Sequence, residues 1–249
     1  MQTPEMYYGI DCPTNTTDAF SQRKGMLSAG MVWKMGKNFN FTVPETRELF
    51  VDSGGFQVVS SWGLEYPYTT KELFNWAESI NADLLACPDF ACEPELHSSS
   101  VEKRIELTIE HHAEAMALYE DGDYSFQLVP VLQGYYADQY QYCINRFKKE
   151  GFVRDYMAIG TVCKRDSPDA IHKVMETIES GLPNTDFHMF GMTLNAWKDT
   201  RMWGRFKSAD TAAWNWGGQT QAHKVELLTE YAAKVDAIRD KIGGQTKLC

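Results

Sequence analysis

Four apolar segments of this chain each end on a side chain able to bind or attack a polar group. Asp52 follows Leu49-Phe50-Val51, and Asp89 follows Leu84-Leu85-Ala86-Cys87-Pro88. Gln133 follows Val129-Pro130-Val131-Leu132, and Asp210 follows Phe206-Lys207-Ser208-Ala209. A carboxylate can pass a proton to a reacting group or attack carbon as a nucleophile. A primary amide reads both donor and acceptor edges of a ligand. The richest of these stretches is Asp52-Ser53-Gly54-Gly55-Phe56-Gln57. Its glycine pair lets the backbone take positive φ and come close to a ligand. Phe56 offers a flat face, and Asp52 and Gln57 offer hydrogen-bonding groups. The set suits a planar, polar heterocycle such as a nucleobase. The same residues also suit a strand that ends in a tight turn, with Asp52 bonded to its own backbone. Ser53 reads as a turn former, because no histidine is placed to activate it.

The elements that would position these groups are regular. Strand-like runs cover Met6 to Ile10, Met26 to Val32, Glu48 to Val51, Asp83 to Cys87, Phe126 to Leu132, Tyr156 to Ile159, Phe187 to Phe190 and Arg205 to Ala209. Continuous apolar runs rather than strict alternation indicate strands buried on both faces, as in a parallel sheet. Helical patterns lie between them: Thr69 or Thr70 to Ile80, Val101 to Tyr119 capped from Ser98 to Ser100, Asp138 to Lys149, Pro168 to Ser180 stopped by Gly181, and Gln219 to Ile242 stopped by Gly243-Gly244. Gln22 to Gly25 reads as a short helical stretch, and Thr193 to Trp203 stays open between helix and loop. Eight strands with intervening helices predict an α/β fold, a (β/α)8 TIM barrel, as a single domain over residues 1–249. In that fold the C-terminal strand ends share one mouth. Asp52, Asp89, Gln133 and Asp210 then converge, which favours a working site over solvated surface. Three acids this close should not all be ionised, so one pKa is expected to be raised.

Composition narrows the class. The chain has 249 residues, 43% hydrophobic, enough for one large core. No apolar run reaches the ~20 residues of a membrane span. Met1-Gln2-Thr3-Pro4-Glu5 lacks the basic-then-apolar pattern of a signal peptide, so a cytoplasmic location is expected. Six scattered cysteines form no Cys-x-x-Cys pair and read as reduced, mostly buried thiols. Cys87 and Cys92 lack a second pair to complete a zinc site. A net charge of −10 argues against broad, non-specific nucleic-acid binding but leaves room for a local basic face.

The motifs together resemble the tRNA-guanine transglycosylase superfamily, and in style its compact branch that inserts 7-deazaguanines into DNA. The resemblance runs from about Met26 to Trp214. Its most specific piece is Asp52-Ser53-Gly54-Gly55-Phe56-Gln57. Cys87-Pro88-Asp89-Phe90 resembles the second aspartate strand, Val131-Leu132-Gln133-Gly134 the Val-Gln-Gly segment, Met157-Ala158-Ile159-Gly160 the backbone-contact segment, and Phe190-Gly191 the apolar platform. Ser208-Ala209-Asp210-Thr211-Ala212-Ala213-Trp214 lies where the family carries its nucleophilic aspartate, in the DNA-type form.

The resemblance implies roles. Asp210 would attack C1′ of the guanosine, and Asp52 would position the base and move a proton. Asp89 would accept from the N1 and N2 edge. Gln133 would contact O6, with backbone N–H groups near Met157. Phe56 and Phe190 would sandwich the ring, with Ser53, Gly54, Gln57 and Gly134 completing the base site. No cofactor or metal is implied. The implied partners are nucleic acid, DNA in preference to tRNA, and a 7-deazaguanine base such as 7-cyano-7-deazaguanine; a homodimer is left open. The compact form suits a phage or mobile modification system.

Two features depart from the tRNA enzymes. After Asp210 only His223 and Cys249 remain of potential zinc ligands, so the C-terminal Cys-x-Cys-x-x-Cys…His set is missing. The segment before the nucleophile, Thr193 to Lys207, carries Trp197, Lys198, Arg201, Trp203, Arg205 and Lys207, with Trp214 and Trp216 beyond it. Cations can meet phosphates and indoles can stack on unpaired bases, which makes Lys198, Arg201, Arg205, Lys207 and Trp214 the candidate nucleic-acid contacts. The competing reading is a Trp-rich helix packed on the barrel with solvated charges. Lys164 and Arg165 are further cations for a phosphate or for plain surface. His111-His112 reads as surface plus core packing rather than a metal pair. Alternative activities on the same barrel are the exchange in tRNA, nucleoside or glycoside hydrolysis, and a non-catalytic base-binding subunit. A base in a duplex cannot reach a barrel mouth, so a DNA target must be flipped or single-stranded.

Overall fold

The computed structural model describes residues 3–10, 17–36, 39, 43–162, 168–215 and 220–245. The strands are β1 (Glu5–Gly9), β2 (Lys24–Ser28), β3 (Glu48–Asp52), β4 (Leu84–Ala86), β5 (Gln127–Val129), β6 (Val131–Leu132), β7 (Tyr156–Ile159), β8 (Asp186–Met189) and β9 (Ser208–Thr211). Between them lie α1 (Thr17–Phe20), α2 (Ala29–Lys34), α3 (Gly55–Ser61), α4 (Thr70–Ser79), α5 (Val101–Asp121), α6 (Ala137–Glu150), α7 (Pro168–Gly181) and α8 (Leu194–Lys198), and α9 (Gln221–Gln245) follows β9.

All pairings are parallel, in the order β5-β4-β3-β2-β1-β9-β8-β7-β6. β5 and β6 are two halves of one stave, separated by Pro130. The first half pairs with β4 and the second with β7, which brings the barrel round to near closure. Proline has no N–H to give a ladder. Its carbonyl still accepts from Ala158 N at 2.7 Å, and the next N–H, Val131, donates to His112 Nε2 at 2.9 Å. The expected eight-staved α/β barrel is therefore present, with its fifth stave broken.

The barrel interior is filled by Tyr7, Met26, Phe50, Leu84, Ala86, Val129, Val131, Tyr156 and Ala158. Alternate strand residues such as Tyr8, Val51, Leu85 and Met157 face the helices in a larger outer core. This double burial is why the strands read as continuous apolar runs. Lys24 is buried at the N-terminal end between Glu5 and Glu48, so that end is closed by charge pairs. Helix starts follow their sequence signals: Thr69 and Glu72 form a reciprocal cap on α4, and Ser100 caps α5.

Several boundaries differ from expectation. The second strand stops at Ser28, in register with Asp52 at the end of β3, and residues 29–34 turn into α2. Gln22 to Gly25 is a turn running into β2 rather than a helix. α7 includes Gly181, and α9 runs through Gly243-Gly244. The last strand starts at Ser208, so Arg205 and Lys207 precede it and Asp210 lies within it. Among the described residues no helix is long and apolar enough to cross a membrane. Cys87, Cys92 and Cys143 are free, buried thiols, as expected; Cys12, Cys163 and Cys249 lie outside the described residues.

Candidate active site

The C-terminal strand ends surround a cavity of about 560 Å³ that contains Asp52, Asp89, Gln133 and Asp210 together with Phe56, Gln57 and Phe190. Each is delivered by a short local device. Asp52 is the last residue of β3. Gly54 follows in the left-handed region, φ 90°, and caps α3, which starts at Gly55 and carries Phe56 and Gln57 to the rim. A Cβ on Gly54 would sit 2.6 Å from the Gly30 backbone, so α2 and α3 approach closely only because both residues are glycine. Asp210 lies in β9 beside Tyr7 of β1.

The floor is a connected hydrogen-bond network. Ser53 donates to Asp89 Oδ1 at 2.9 Å, and Gln133 Nε2 donates to Asp89 Oδ2. Thr161 donates to Gln133 Oε1 at 2.7 Å and accepts from Cys92 N at 2.8 Å. Thr161 has φ 57°, unusual for a β-branched residue, and its two bonds hold it there. Tyr66 spans the Asp89 backbone, accepting from its N–H at 3.0 Å and donating to its carbonyl at 2.7 Å. Two glycines make room: a Cβ on Gly55 would lie 2.4 Å from Asp89 Oδ1, and one on Gly160 2.2 Å from Gln133 Nε2.

Burial dominates the electrostatics. It pushes the Asp89 carboxyl up to about 7, helped by the charge of Asp52 and opposed by the Gln133 and Ser53 hydrogen bonds. Burial likewise raises Asp52 to about 6; Ser28 and the Gly54 N–H pull it down, and Asp210 pushes it up. The expected raised acid is found at Asp89 and at Asp52. Near neutral pH such a site has both carboxylate acceptors and a carboxylic acid that can give up a proton.

Asp210 is held differently. Gly191 N–H donates to its Oδ1 at 2.8 Å, and His188 Nε2 lies 3.3 Å from the same oxygen. Oδ2 has no hydrogen-bond partner among the described residues. One oxygen is tied back, and Asp210 lines the cavity.

Some expected residues lie elsewhere. Ser53 and Gly54 sit behind the wall; Ser53 is fully buried and acts on the site through Asp89. Met157 is inside β7 with its side chain in the outer core, and the cavity is lined instead by Gly160 and Thr161, just past the end of that strand. Gly134 packs against Tyr140 and is not at the cavity.

The basic segment needs the largest correction. Lys207 pairs with Asp186 at the N-terminal end of the barrel, opposite the mouth. Arg205 pairs with Glu179 at 2.6 Å, and Arg201 pairs with Asp199 and Asp169. Trp214 is buried and donates to Gly9 O at 3.0 Å, and Trp197 and Trp203 are buried too. The packed-helix reading describes these indoles, because burying an indole face outweighs leaving it in solvent. Lys198 is exposed with no ion-pair partner among the described residues. Lys164, Arg165 and Trp216 lie outside the described residues.

Sequence reasoning missed Glu93, Thr161, Asn215 and His188. Glu93 and Thr161 line the cavity and are almost fully buried. Asn215 lines it with its Oδ1 buried and unpartnered. The strong burial of a Glu beside Pro94, and of a His within the apolar run Phe187-His188-Met189-Phe190, were the available signals.

Against this geometry the comparison with known families is specific. The family described as DpdA, DeoxyPurine in DNA protein A, matches residues 34–227, which takes in all four strand-end groups. The chain belongs to the DpdA family. That family comprises the DNA-guanine transglycosylases of 7-deazaguanine DNA modification, so this DpdA-family protein is a glycosyl-transferring enzyme whose nucleic acid is DNA and whose base is a deazaguanine. No curated protein matches the chain.

Proposed function

We propose that this enzyme exchanges guanine in DNA for a 7-substituted deazaguanine, such as 7-cyano-7-deazaguanine, through a covalent bond between C1′ and Asp210. The observation that carries this reading is the asymmetric anchoring of Asp210 at the cavity, with Oδ1 held by Gly191 and no partner for Oδ2 among the described residues. Oδ2 attacks C1′ as the C1′–N9 bond breaks. The bonding pair leaves with the guanine, which takes a ring proton from the neutral form of Asp52. The incoming base then returns its N9 proton to Asp52 and its N9 displaces Asp210 from C1′. A carboxylate suits this work because the transition state has oxocarbenium character.

Asp89 accepts from the N1 and N2 hydrogens of the base. Ser53 and Gln133 already bond its two oxygens. A base that takes over Asp89 frees the Gln133 amide nitrogen to turn toward O6. Phe56, 37% exposed at the rim, and Phe190, packed on Phe50 and His188, offer ring faces to the base. Lys198 is the remaining side chain of the basic segment able to meet a phosphate. A base in a duplex cannot reach this barrel mouth, so the target guanine enters flipped out or from a single strand.

The test is incubation of the protein with labelled guanine and either single-stranded DNA, duplex DNA or tRNA. Label entering DNA supports the reading. Label entering only tRNA overturns it, and release of free guanine without incorporation identifies a hydrolase.

A further inference from the structure

Behind Asp210 runs a line of buried polar groups with no part in the bond-making steps of the exchange. The Tyr156 hydroxyl lies 2.6 Å from Ser208 Oγ, Ser208 Oγ lies 2.8 Å from His188 Nδ1, and His188 Nε2 lies 3.3 Å from Asp210 Oδ1. His188 is completely buried, and its ring is wedged against Tyr7, Phe50 and Phe190 at centroid distances of 5.6, 4.9 and 4.9 Å. Around it the barrel interior is lined mainly by apolar and aromatic side chains, among them Tyr7, Phe50, Ala158 and Phe190. A histidine here has to satisfy two nitrogens in an apolar surround, which costs stability unless both are bonded.

For a neutral imidazole beside an ionised Asp210, the partners set where each hydrogen sits. An ionised carboxylate only accepts, so the hydrogen lies on Nε2. The neutral imidazole then has a bare Nδ1 that accepts from Ser208. Ser208 has one hydrogen and has given it to His188, so its oxygen accepts from Tyr156. In that state the donors run from Tyr156 to Ser208 to His188 to Asp210.

We propose that His188 is a positioning residue for Asp210. Its Nε2–H and the Gly191 N–H, 2.8 Å away, grip the same carboxylate oxygen and turn the other toward the sugar carbon. Ser208 and Tyr156 hold the imidazole in the one tautomer that can do this. No proton changes hands along the line. When the incoming base displaces Asp210 the carboxylate charge returns, and the Nε2–H stabilises it. This role rests on the reading of Asp210 as the nucleophile.

Two measurements on the whole protein test it. Long-range 1H–15N correlation should show His188 neutral, with a pyrrole-like Nε2 and a pyridine-like Nδ1. An imidazolium or an Nδ1–H tautomer overturns the proposal, whatever the activity. In kinetics, His188→Phe keeps the ring packing and removes both nitrogens. It should lower kcat and the rate of adduct formation about 10- to 100-fold, the range for one hydrogen bond to a charged group, with KM for the base nearly unchanged. His188→Gln, which returns an N–H donor, should recover part of that loss, and Ser208→Ala should lose roughly 2- to 10-fold. A His188→Phe enzyme with wild-type kcat, or losses that appear only in KM, overturns the positioning role. Wild-type protein that exchanges no base removes the nucleophile reading itself, and the tautomer measurement then decides alone whether the line is built as described.

Discussion

Replacing Asp89 by Asn should stabilise the fold while disabling the site, and the pH dependence of that gain is the informative part. Asp89 is 5% exposed and is pushed up to about 7 by burial and by Asp52. In the unfolded chain an aspartate titrates near ~3.9. Between those limits the folded protein holds a proton that the unfolded chain has released. The stability due to this group is therefore complete below about pH 4 and is lost as pH rises through about 7. Each pH unit costs about 1.36 kcal/mol, so roughly three units give a ceiling of about 4 kcal/mol. Asparagine has nearly the same shape and cannot ionise. The variant should match wild type near pH 4.5 and exceed it by about 2–4 kcal/mol at pH 8. Urea unfolding followed by tryptophan fluorescence at a series of pH values measures the difference. Buried His112, held down to about 3 by desolvation, has a slope of opposite sign below its unfolded pKa, but it cancels between variant and wild type. A difference that stays flat within about 0.5 kcal/mol from pH 4.5 to 8 would refute the claim that Asp89 is buried against its charge. Exchange activity should move the other way, falling about 100-fold or more, because the amide cannot accept both the N1 and N2 hydrogens.

Four further outcomes follow from the geometry. Gly160→Ala places a Cβ 2.2 Å from Gln133 Nε2, so exchange should drop about 100-fold with little change in circular dichroism. Asp210→Ala should leave no covalent adduct trapped on DNA in denaturing gels; a persisting adduct removes Asp210 from the nucleophile role. Arg205→Ala breaks the partly buried pair with Glu179 and should cost roughly 1 kcal/mol in urea unfolding without altering the salt dependence of DNA binding. Lys198→Ala should leave stability unchanged and lower the salt slope of DNA binding by about 1.

Much of the barrel and the wall of the site was legible because both depend on local pattern. Parallel staves buried on two faces need unbroken apolar runs, and the strand ends then announce themselves as the first polar residues, Asp52, Asp89 and Gln133. The basic segment was misread because charge and aromatic content do not reveal what each group faces. Arg201, Arg205 and Lys207 are claimed by Asp169, Asp199, Glu179 and Asp186, all distant in sequence except Asp199. Thr161 was passed over because only its left-handed backbone and its bridge between Gln133 and Cys92, 28 and 69 residues away, give it meaning.

The sequence by itself determined the fold class, the strand ends that bear the chemistry and the family to which the chain belongs. These follow from hydrophobic periodicity and short contiguous motifs, which act over a few residues. The tertiary structure alone decided the ionisation and orientation of the site. A carboxyl becomes a raised acid, as at Asp52 and Asp89, only when folding strips its water and brings a second charge near. Asp210 has its Oδ1 tied back only when β8 and the residues after it bring His188 and Gly191 beside β9. Such contacts join residues that are far apart in the chain, and no local pattern encodes them.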